Sequence, residues 1–452
     1  MTIWLPDIAE RKQPAYQAIV EAIADAVRQG CLRPGDRLPT HRLLADLLGV
    51  NVSTVTRAYR EAARRRLLGG EVGRGTYVLG VASEAALFAL EQRPEGGVID
   101  LSPNTPPALL RDPDLAAALG GIDEREAARL LHYPTTADAL QHAHAAAGWL
   151  GRRGVGAEPD SIVVCAGAQH AMDSALGAFQ ESDEVGCEPL VYPGLKAAAR
   201  RWRRRLHPIA MDGEGVVPGA FEAACRAGVR LVVLSPTLHN PTTVTMSFDR
   251  RQRLAELARR YDVVIIEEDV YGLLPDHTPP PLAALAPERV LYLTGLSKTV
   301  APGLRIGYLV VPSRLKERMR DASHHTAWYV SPISAALATR WLGDGTAWRR
   351  LLAQRRELTA RHRLCARHLA GLAWRGESHC PHVWLDLPPG RSPAFARQAL
   401  AAGVVVVPSA VFAVGRATAD GVRISLGAAA DRASLAEALA RLAALPAGQR
   451  ES

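Results

Sequence analysis

The chain has 452 residues, an ordinary apolar content of 48% and a formal net charge of +8. This length exceeds one small core, so two or three domains are expected. No apolar run is long enough to span a bilayer, and the first residues lack the apolar region of a secretory signal, so we expect a cytoplasmic protein without membrane contact. Six scattered cysteines without a CxxC spacing predict reduced thiols. The positive charge permits nucleic-acid binding without requiring it.

Residues 12–80 form the first predicted domain. Ile19 and Ile23 begin an apolar helical face with steps of four residues. The stretch THRLLADLLG predicts a second helix that begins after Thr40 and stops at Gly49. NVSTVTRAYREAARRR predicts a third helix, and LLGGEVGRGTYVLG predicts two short strands around a glycine turn.

The third predicted helix has two contrasting faces. One is apolar, whereas Ser53, Thr56 and Arg57 point the other way. A turn between two short helices, the second with a polar outer face, suits insertion into the major groove of DNA. Arg42 begins the preceding helix and Arg74 occupies the tip of the predicted hairpin, where both can reach a phosphate. A small helical dimerisation module with a solvated basic face is the alternative interpretation.

The order of PAYQAI, LRPGDRLPTHRLLADLLGV, STVTRAY and GRGTYV resembles the winged helix-turn-helix domain of GntR-family bacterial regulators. Val52 departs from the arginine or other polar residue that is usual in the family, which leaves base readout at this position without a polar side chain. The resemblance implies that a set of residues faces DNA: Arg42, Asn51, Ser53, Thr54 and Thr56, with Gly73, Arg74 and Gly75 in the wing.

Residues 81–97 are predicted to be a linker. From 98 to 450, the apolar runs SIVVCAG, RLVVLSP, DVVIIEED and VLYLTGL alternate with helical segments rich in alanine and arginine. This alternation predicts an α/β domain with a mostly parallel sheet and helices on both faces. Residues 330–450 mix helices with short strands and predict a smaller α/β subdomain.

Lys298 lies between two of the apolar runs, in TGLSKTVAPGLRIGY. An aldehyde cofactor with a phosphate and a pyridine ring needs a lysine for an imine, a carboxylate at the ring nitrogen, a stacking ring and a phosphate anchor. A solvated lysine at a strand end is the alternative. Residues of the required types follow one another in a sensible order: Gly167, Ala168 and Gln169 at a strand-to-helix turn, Tyr192 for stacking, Asn240 for the ring hydroxyl, Glu268, Asp269 and Tyr271 at a strand end, and Ser297, Lys298 and Arg305.

This order, and above all SKTVAPGLRIGY, resembles the fold-type I aminotransferases, which bind pyridoxal 5′-phosphate. The resemblance covers residues 98–450. It implies that Arg423, in GVRISLG, binds a substrate carboxylate, although a surface arginine on a strand is the alternative. It implies that Tyr133 reaches the phosphate of a neighbouring subunit, and therefore a homodimer. Asn104 matches the segment that lines the substrate side.

The sequence departs from the aminotransferase pattern at the ring nitrogen and at the phosphate. Counting back from Tyr271 places Glu268 at the ring nitrogen, but Asp269 follows directly, and only one of two successive strand residues can point at the ring. Glu268 is favoured and Asp269 stays open. Gly295 replaces a serine or threonine that usually binds the phosphate, and Thr294 is the nearest hydroxyl that could compensate. SHCPH lacks a matching ligand pair elsewhere, so we predict no metal site.

A GntR-type winged helix followed by an aminotransferase-like domain resembles the MocR-type regulators. The resemblance implies a transcription regulator that senses pyridoxal phosphate, or a small amine or amino-acid effector, through an imine at Lys298. Its predicted partners are a double-stranded DNA operator and a second copy in a domain-swapped homodimer. A competent aminotransferase with an accessory DNA-binding domain is the main alternative, and a cofactor-free repressor on the same scaffold is another.

Overall fold

The computed structural model divides the chain into two compact units, Met1–Gln92 and Arg93–Ser452. The wing residues Gly73 and Arg74 and the predicted linker up to residue 96 lie outside the described part of the chain. The residues that the structure describes are 4–6, 14–28, 32, 36, 38–64, 67–71, 75–78, 97–108, 112–319, 329–415 and 419–446.

The first unit contains three helices and a two-stranded antiparallel hairpin. The helices pack around a core of small and branched apolar side chains that includes Ile19, Ile23 and Leu44. The apolar face predicted for the third helix is confirmed, since Val55 and Tyr59 are buried in this core. The elements are α1 (Ala15–Arg28), α2 (His41–Leu48), α3 (Val52–Arg64), β1 (Leu68–Glu71) and β2 (Gly75–Val78).

Both predicted ends of α2 are confirmed. The Thr40 hydroxyl accepts a hydrogen bond from the Leu43 amide, as an N-cap does. Gly49 adopts φ 65°, in the left-handed region, and its amide donates to the carbonyls of Ala45 and Asp46. The chain therefore turns sharply after α2, and three residues separate α2 from α3.

The second unit is built on a seven-stranded sheet within its described residues, with the order β4–β12–β11–β10–β9–β5–β6. β12 runs antiparallel to both of its neighbours and the other pairs are parallel, so the predicted mostly parallel sheet is confirmed. The strands are β4 (Ile162–Cys165), β5 (Glu184–Cys187), β6 (Arg205–Pro208), β9 (Leu231–Leu234), β10 (Val264–Glu268), β11 (Val290–Gly295) and β12 (Gly307–Val310), and the hairpin β7 (Met211–Asp212) and β8 (Gly215–Val216) lies outside it.

Helices alternate with these strands, and none of the described helices is long and apolar enough to cross a membrane. They bury small and branched side chains against the sheet, whose central strands are apolar throughout. The helices are α4 (Pro113–Gly120), α5 (Glu124–Leu130), α6 (Thr136–Gly151), α7 (Ala168–Gly177), α8 (Pro193–Arg201), α9 (Pro218–Arg226), α10 (Phe248–Arg260), α11 (Leu282–Leu285), α12 (Pro332–Gly343) and α13 (Thr346–His368).

A second, four-stranded sheet has its own apolar core in the C-terminal part of the unit. The early strand β3 (Ile99–Asp100) joins this region by pairing in parallel with β15 (Val404–Val405). The start of the second unit therefore belongs to the small subdomain, which the sequence did not predict. The remaining elements are β13 (Trp374–Arg375), β14 (His382–Asp386), α14 (Ser392–Ala401), β16 (Val407–Pro408), β17 (Gly421–Ser425) and α15 (Arg432–Ala443).

Candidate functional site

The candidate site lies at the carboxyl ends of the parallel strands, where ligands bind in open α/β sheets. Glu268 is the last residue of β10, and its carboxylate accepts a hydrogen bond of 3.0 Å from the Ser235 hydroxyl at the end of β9. Lys298 follows β11 by three residues. Three neighbouring strands thus bring a carboxylate, a hydroxyl and an amine to one edge of the sheet.

The start of α7 forms a cradle for an anion. Gly167 precedes the helix with φ 90°, which an L side chain rarely adopts, and the first-turn amides of Ala168 and Gln169 have no partners inside the helix. A Cβ atom on Gly167 would lie 2.5 Å from Nη2 of Arg305. The Arg305 guanidinium also donates to the Ser297 hydroxyl over 3.3 Å. Two amides, a guanidinium and a hydroxyl therefore converge, as a phosphate requires.

Arg305 reaches this cradle from an unusual backbone conformation. Its φ is 52°, in the left-handed region that is uncommon for a residue with a side chain. Gly307 follows, and a Cβ there would lie 2.5 Å from the carbonyl carbon of Gly167. The glycine lets β12 approach the start of α7 closely enough for Arg305 to lie over it.

Lys298 has the protonation behaviour of a reactive amine. Burial lowers its pKa to about 8, and the positive charges of Arg423 and Arg305 act in the same direction while Glu268 opposes them. Its amine donates to the main-chain carbonyl of Asn104. At neutral pH a useful fraction of the amine is therefore uncharged and able to attack an aldehyde.

Glu268 and Asp269 point to opposite faces of the sheet, as strand alternation requires. Burial raises the pKa of Glu268, whereas the Ser235 hydrogen bond and the charge of Lys298 lower it, so this carboxylate lies beside Lys298. Asp269 instead accepts from Nε of Arg153 over 2.7 Å and from the Tyr292 hydroxyl over 3.0 Å. The structure therefore brings Glu268 to the cluster and does not bring Asp269.

Thr294 has a hydrogen-bond partner outside the cradle. Its hydroxyl donates to the main-chain carbonyl of Asp269 over 2.9 Å. Because a hydroxyl has a single proton, it donates no second hydrogen bond in this arrangement. The groups that converge on the cradle in the structure are the α7 amides, Ser297 and Arg305.

Arg423 is buried, although it carries a positive charge. Its guanidinium donates to Oδ1 of Asn240 over 3.0 Å and to the main-chain carbonyl of Ser102. It lies 5.1 Å above the ring of Phe412, and burial lowers its pKa to about 10. The interpretation of Arg423 as a surface arginine is wrong, since only 3% of it is exposed. A buried cation whose partners are uncharged is suited to receive a carboxylate.

Asn104 contacts Lys298 through its main-chain carbonyl and two ring side chains, Tyr271 and His382, through its side-chain amide. Its side-chain amide donates to the Tyr271 hydroxyl over 2.8 Å and lies 3.2 Å from Nδ1 of His382. Because Nε2 of His382 lies 3.3 Å from the carbonyl of His239, that nitrogen is the donor and Nδ1 the acceptor. Burial lowers the pKa of His382 well below its usual value, so the imidazole stays neutral.

Tyr192 and Gln169 border the same cluster. Tyr192 lies at the start of α8, and burial raises its pKa; Glu268 raises it as well, while Arg423 and Arg305 lower it. The ring therefore lies among the charged groups of the site. The Gln169 side chain donates to the carbonyl of Gly194 over 3.0 Å, which ties α7 to the start of α8.

Tyr133 lies outside this cluster. Its side chain is 82% exposed, and its ring lies 6.1 Å from that of Tyr329, centroid to centroid. The structure does not bring it to the Lys298 site of its own chain.

The predicted DNA-facing residues gather at the start of α2 and α3. Arg42, Asn51 and Ser53 are exposed, and Thr54 is half-buried. The Thr56 hydroxyl lies 3.2 Å from Nδ1 of His41, and the guanidinium of Arg57 lies 4.0 Å above the Tyr16 ring. Thr56 and Arg57 therefore also hold the helices together. Gly75 begins β2, and the other two predicted wing residues are outside the described part of the chain.

Sequence reasoning missed Ser102, Ser235, His382 and Phe412. Ser235 directly follows the apolar strand β9, which lies beside the strand of Glu268, a position that sheet order would have revealed. His382 is part of SHCPH, and its contact with Asn104 spans 278 residues of sequence, which no local pattern signals. Ser102 contributes only its carbonyl, which no side-chain pattern signals.

Two family models match the chain. "Aminotransferase class I and II" matches residues 96–442, and "Bacterial regulatory proteins, gntR family" matches residues 15–78.

Two relatives are similar to this chain over most of its length. The uncharacterized HTH-type transcriptional regulator YdeF of Bacillus subtilis (strain 168) is 31% identical over 427 residues, covering 94% of this chain and 92% of the relative. The vitamin B6 salvage pathway transcriptional repressor PtsJ of Salmonella typhimurium is 30% identical over 354 residues, covering 77% and 80%.

Among solved structures, the chain resembles LysN, the alpha-aminoadipate aminotransferase of Thermus thermophilus, complexed with N-(5′-phosphopyridoxyl)-L-leucine. The TM-score is 0.70 at 25% identity, and the match covers 77% of this chain and 91% of that chain.

Proposed function

The chain belongs to the MocR type of GntR-family transcriptional regulators, and on this premise we propose that it senses pyridoxal phosphate, or an amine that reacts with it, through Lys298. The observation that carries the proposal is the partly buried Lys298 amine, with a pKa of about 8, beside Glu268 and the Arg305 cradle.

The residues present fit pyridoxal phosphate. The cradle of Arg305, Ser297 and the α7 amides suits the phosphate, and a Cβ on Gly167 would obstruct it. The half-buried Glu268 suits a protonated pyridine nitrogen. Pyridoxal phosphate supplies an aldehyde that condenses reversibly with primary amines. Tyr192, Tyr271 and Asn240 complete the proposed set, and Tyr133 of a second copy would reach the phosphate end in a domain-swapped homodimer.

The cationic groups of the site define what an effector must offer. Arg423 now binds Asn240 and the carbonyl of Ser102, and a carboxylate is a stronger acceptor than either. An effector with a carboxylate and a primary amine can therefore engage Arg423 and the cofactor together, with Asn104 at its side. A small amino acid or related amine satisfies both requirements.

The first unit is proposed to bind the operator DNA. Arg42, Asn51, Ser53 and Thr54 form the proposed contact surface on an operator, and the wing residues extend it. Effector binding changes charge inside the cleft, and an effector that prefers one arrangement of the large and small subdomains shifts the population toward it. This shift is proposed to alter how the two winged helices of a dimer bind their operator.

Borohydride reduction tests the covalent part of the proposal. The chain contains only four lysines: Lys12, Lys196, Lys298 and Lys316. After incubation with pyridoxal phosphate, reduction and digestion, we expect a stable mass addition on the Lys298 peptide. Lys298→Ala should abolish it, and Lys316→Ala, which removes an amine that is paired with Asp160, should retain it. Equal labelling of all four lysines, or none at Lys298, would overturn the proposal.

A second candidate function, net transamination, is favoured by the buried Arg423 and by the LysN likeness. Incubation with an amino acid and a 2-oxo acid separates the two. Many turnovers per protein support an aminotransferase with an accessory DNA-binding domain. A single spectral change without product, accompanied by altered operator binding, supports the sensor.

A further inference from the structure

Three adjacent parallel strands end in a row at the edge of the sheet that carries the site. β5, β9 and β10 are neighbours; Glu188 directly follows β5, Ser235 directly follows β9, and Glu268 is the last residue of β10. Neighbouring strands lie about 4.8 Å apart, so the middle residue can touch both outer ones. Neither Glu188 nor Ser235 was predicted from the sequence to be functional.

Ser235 uses two different donors toward the two carboxyl groups. Its main-chain amide donates to Oε1 of Glu188 over 2.7 Å, and its hydroxyl donates to Oε2 of Glu268 over 3.0 Å. The first bond fixes the backbone of Ser235, and the second directs its only hydroxyl proton to the site carboxylate. The orientation of Glu268 therefore depends on the attachment of Ser235.

We propose that Glu188 is a positioning residue that holds Glu268 in place through Ser235. The proposal rests on the proposed function only in assigning Glu268 to the cofactor. The hydrogen bond between Ser235 and Glu188 is present in the protein without any cofactor.

The charge state of Glu188 suits this role. Only 3% of Glu188 is exposed, and burial raises its pKa to about 8; the backbone amides that it accepts from lower the pKa, and Glu268 raises it. A neutral carboxyl group still accepts the Ser235 amide but adds no second negative charge beside Glu268. The other titratable groups that face the pair are Cys187 beside Glu188, and Lys298, Tyr192 and Tyr271 around Glu268.

The first test uses the full-length protein without cofactor. A carboxyl group whose pKa is raised on folding, here from 4.5 to about 8, stabilises the fold at low pH and loses that contribution as the pH rises through 8. Glu188→Gln is neutral at every pH. We therefore expect the melting temperature of the wild type to fall relative to that of Glu188→Gln between pH 5.5 and 8.5. A constant difference, or the opposite trend, would contradict a neutral Glu188 as the group that holds Ser235.

The second test measures the dissociation constant of pyridoxal phosphate from pH 5.5 to 8.5. Ser235→Ala should weaken binding about tenfold, the value of one hydrogen bond to a charged group. Ser235→Ala should also raise the pKa of Glu268, because the lost hydrogen bond favoured the ionised carboxylate. The loss of pyridoxal phosphate affinity at low pH should therefore begin at a higher pH than in the wild type. Glu188→Ala should behave similarly, whereas Glu188→Gln should stay within about threefold of the wild type. Ser161→Ala, which removes a hydroxyl bonded to Glu158 away from the site, is the control.

The outcomes separate the two proposals. Wild-type affinity in Glu188→Ala, or equal losses in Glu188→Gln and Ser235→Ala, would refute the role of Glu188. If the wild type itself takes no adduct at Lys298, the proposed function fails, and the melting curves without cofactor still decide whether Glu188 holds Ser235 as a neutral group.

Discussion

The positive charge of Arg423 acts on the amine of Lys298. Burial is the largest cause of the low pKa of Lys298, and the charge of Arg423 is the next. Arg423 itself is held by the carbonyl of Ser102 and by Asn240, neither of which is charged, so its own charge is not neutralised there. The reactivity of the amine is therefore set in part by a residue assigned to the effector.

Arg423→Gln should raise the pKa of Lys298, since it removes a positive charge that disfavours the ammonium form. The rate of pyridoxal phosphate incorporation should rise with pH through about 8 in the wild type, and this limb should move to higher pH in the variant. Rapid-mixing absorbance measurements across pH 6.5–10 would check the shift. An unchanged limb would mean that the two cations do not interact.

Single residues were predictable where the chemistry needs one side-chain type at one place. Lys298, Glu268 and Arg305 follow from the sequence because a motif fixes their spacing. The location of Asp269 on the far face did not follow, because it depends on Arg153, which is 116 residues away. The hydrogen bond of the Thr294 hydroxyl could not be predicted either, since its acceptor is the main-chain carbonyl of Asp269 and no side-chain pattern indicates it.

Some helices in this protein begin or end at a glycine with an uncommon backbone conformation. Gly167 begins α7 and Gly49 ends α2, both with positive φ. At Gly167 the space of a side chain is filled by Arg305, whereas at Gly49 no atom lies within 4 Å of an added Cβ. The first position therefore combines conformational strain with a steric requirement, and the second has the conformational requirement alone.

Gly167→Ala should weaken pyridoxal phosphate binding by at least about tenfold. The left-handed conformation disfavours alanine by roughly 1–2 kcal/mol, and the new methyl group displaces the Arg305 guanidinium. Gly156→Ala, at an exposed glycine with no neighbour within 4 Å and no positive φ, is the matched control. Isothermal titration with pyridoxal phosphate provides the measurement, and equal affinities for the two variants would contradict the cradle.

Two other glycines should respond to alanine with opposite signs. Gly49→Ala should destabilise the first unit by about 1 kcal/mol because φ is 65° there. Gly148→Ala lies inside α6 in open space, so it should stabilise the second unit by about 0.5–1 kcal/mol. Thermal denaturation followed by circular dichroism would check both signs.

The elements themselves were largely predictable, since helical and strand periodicities differ and the caps of α2 carry their own signals. The two-residue strands were not. β3 and β15 pair across about 300 residues of sequence, and two residues show no periodicity. The antiparallel pairing of β12 could not be predicted either, because an apolar run does not show whether a strand runs parallel or antiparallel to its neighbours.

At the scale of the whole molecule, the two family matches cover separate parts of the chain and predict two separable activities. The net charge of +8 favours binding to a polyanion. The division into two units followed from the change in sequence pattern. The sequence of the operator could not be predicted, because the contacts to bases depend on the DNA sequence as well as on the protein.

Operator affinity should fall steeply with salt, because basic residues displace counterions from the phosphates. If Arg42 contacts a phosphate, Arg42→Ala should weaken binding and reduce the slope of log K against log salt by about 1. Arg152→Ala, which removes an arginine over the Trp348 ring in the second unit, is the control. Fluorescence anisotropy at several salt concentrations would check this, and equal affinity for Arg42→Ala and the wild type would remove Arg42 from the contact surface.

The main-chain carbonyl of Asn104 accepts a hydrogen bond from the Lys298 amine. If this amine bonds to a cofactor, as proposed, the carbonyl loses its donor and the backbone at Asn104 has one contact fewer. Gly97 lies seven peptide units upstream, a contour of at most roughly 25 Å. The backbone that would lose this contact is therefore close in sequence to the boundary between the two units, at residues 92 and 93.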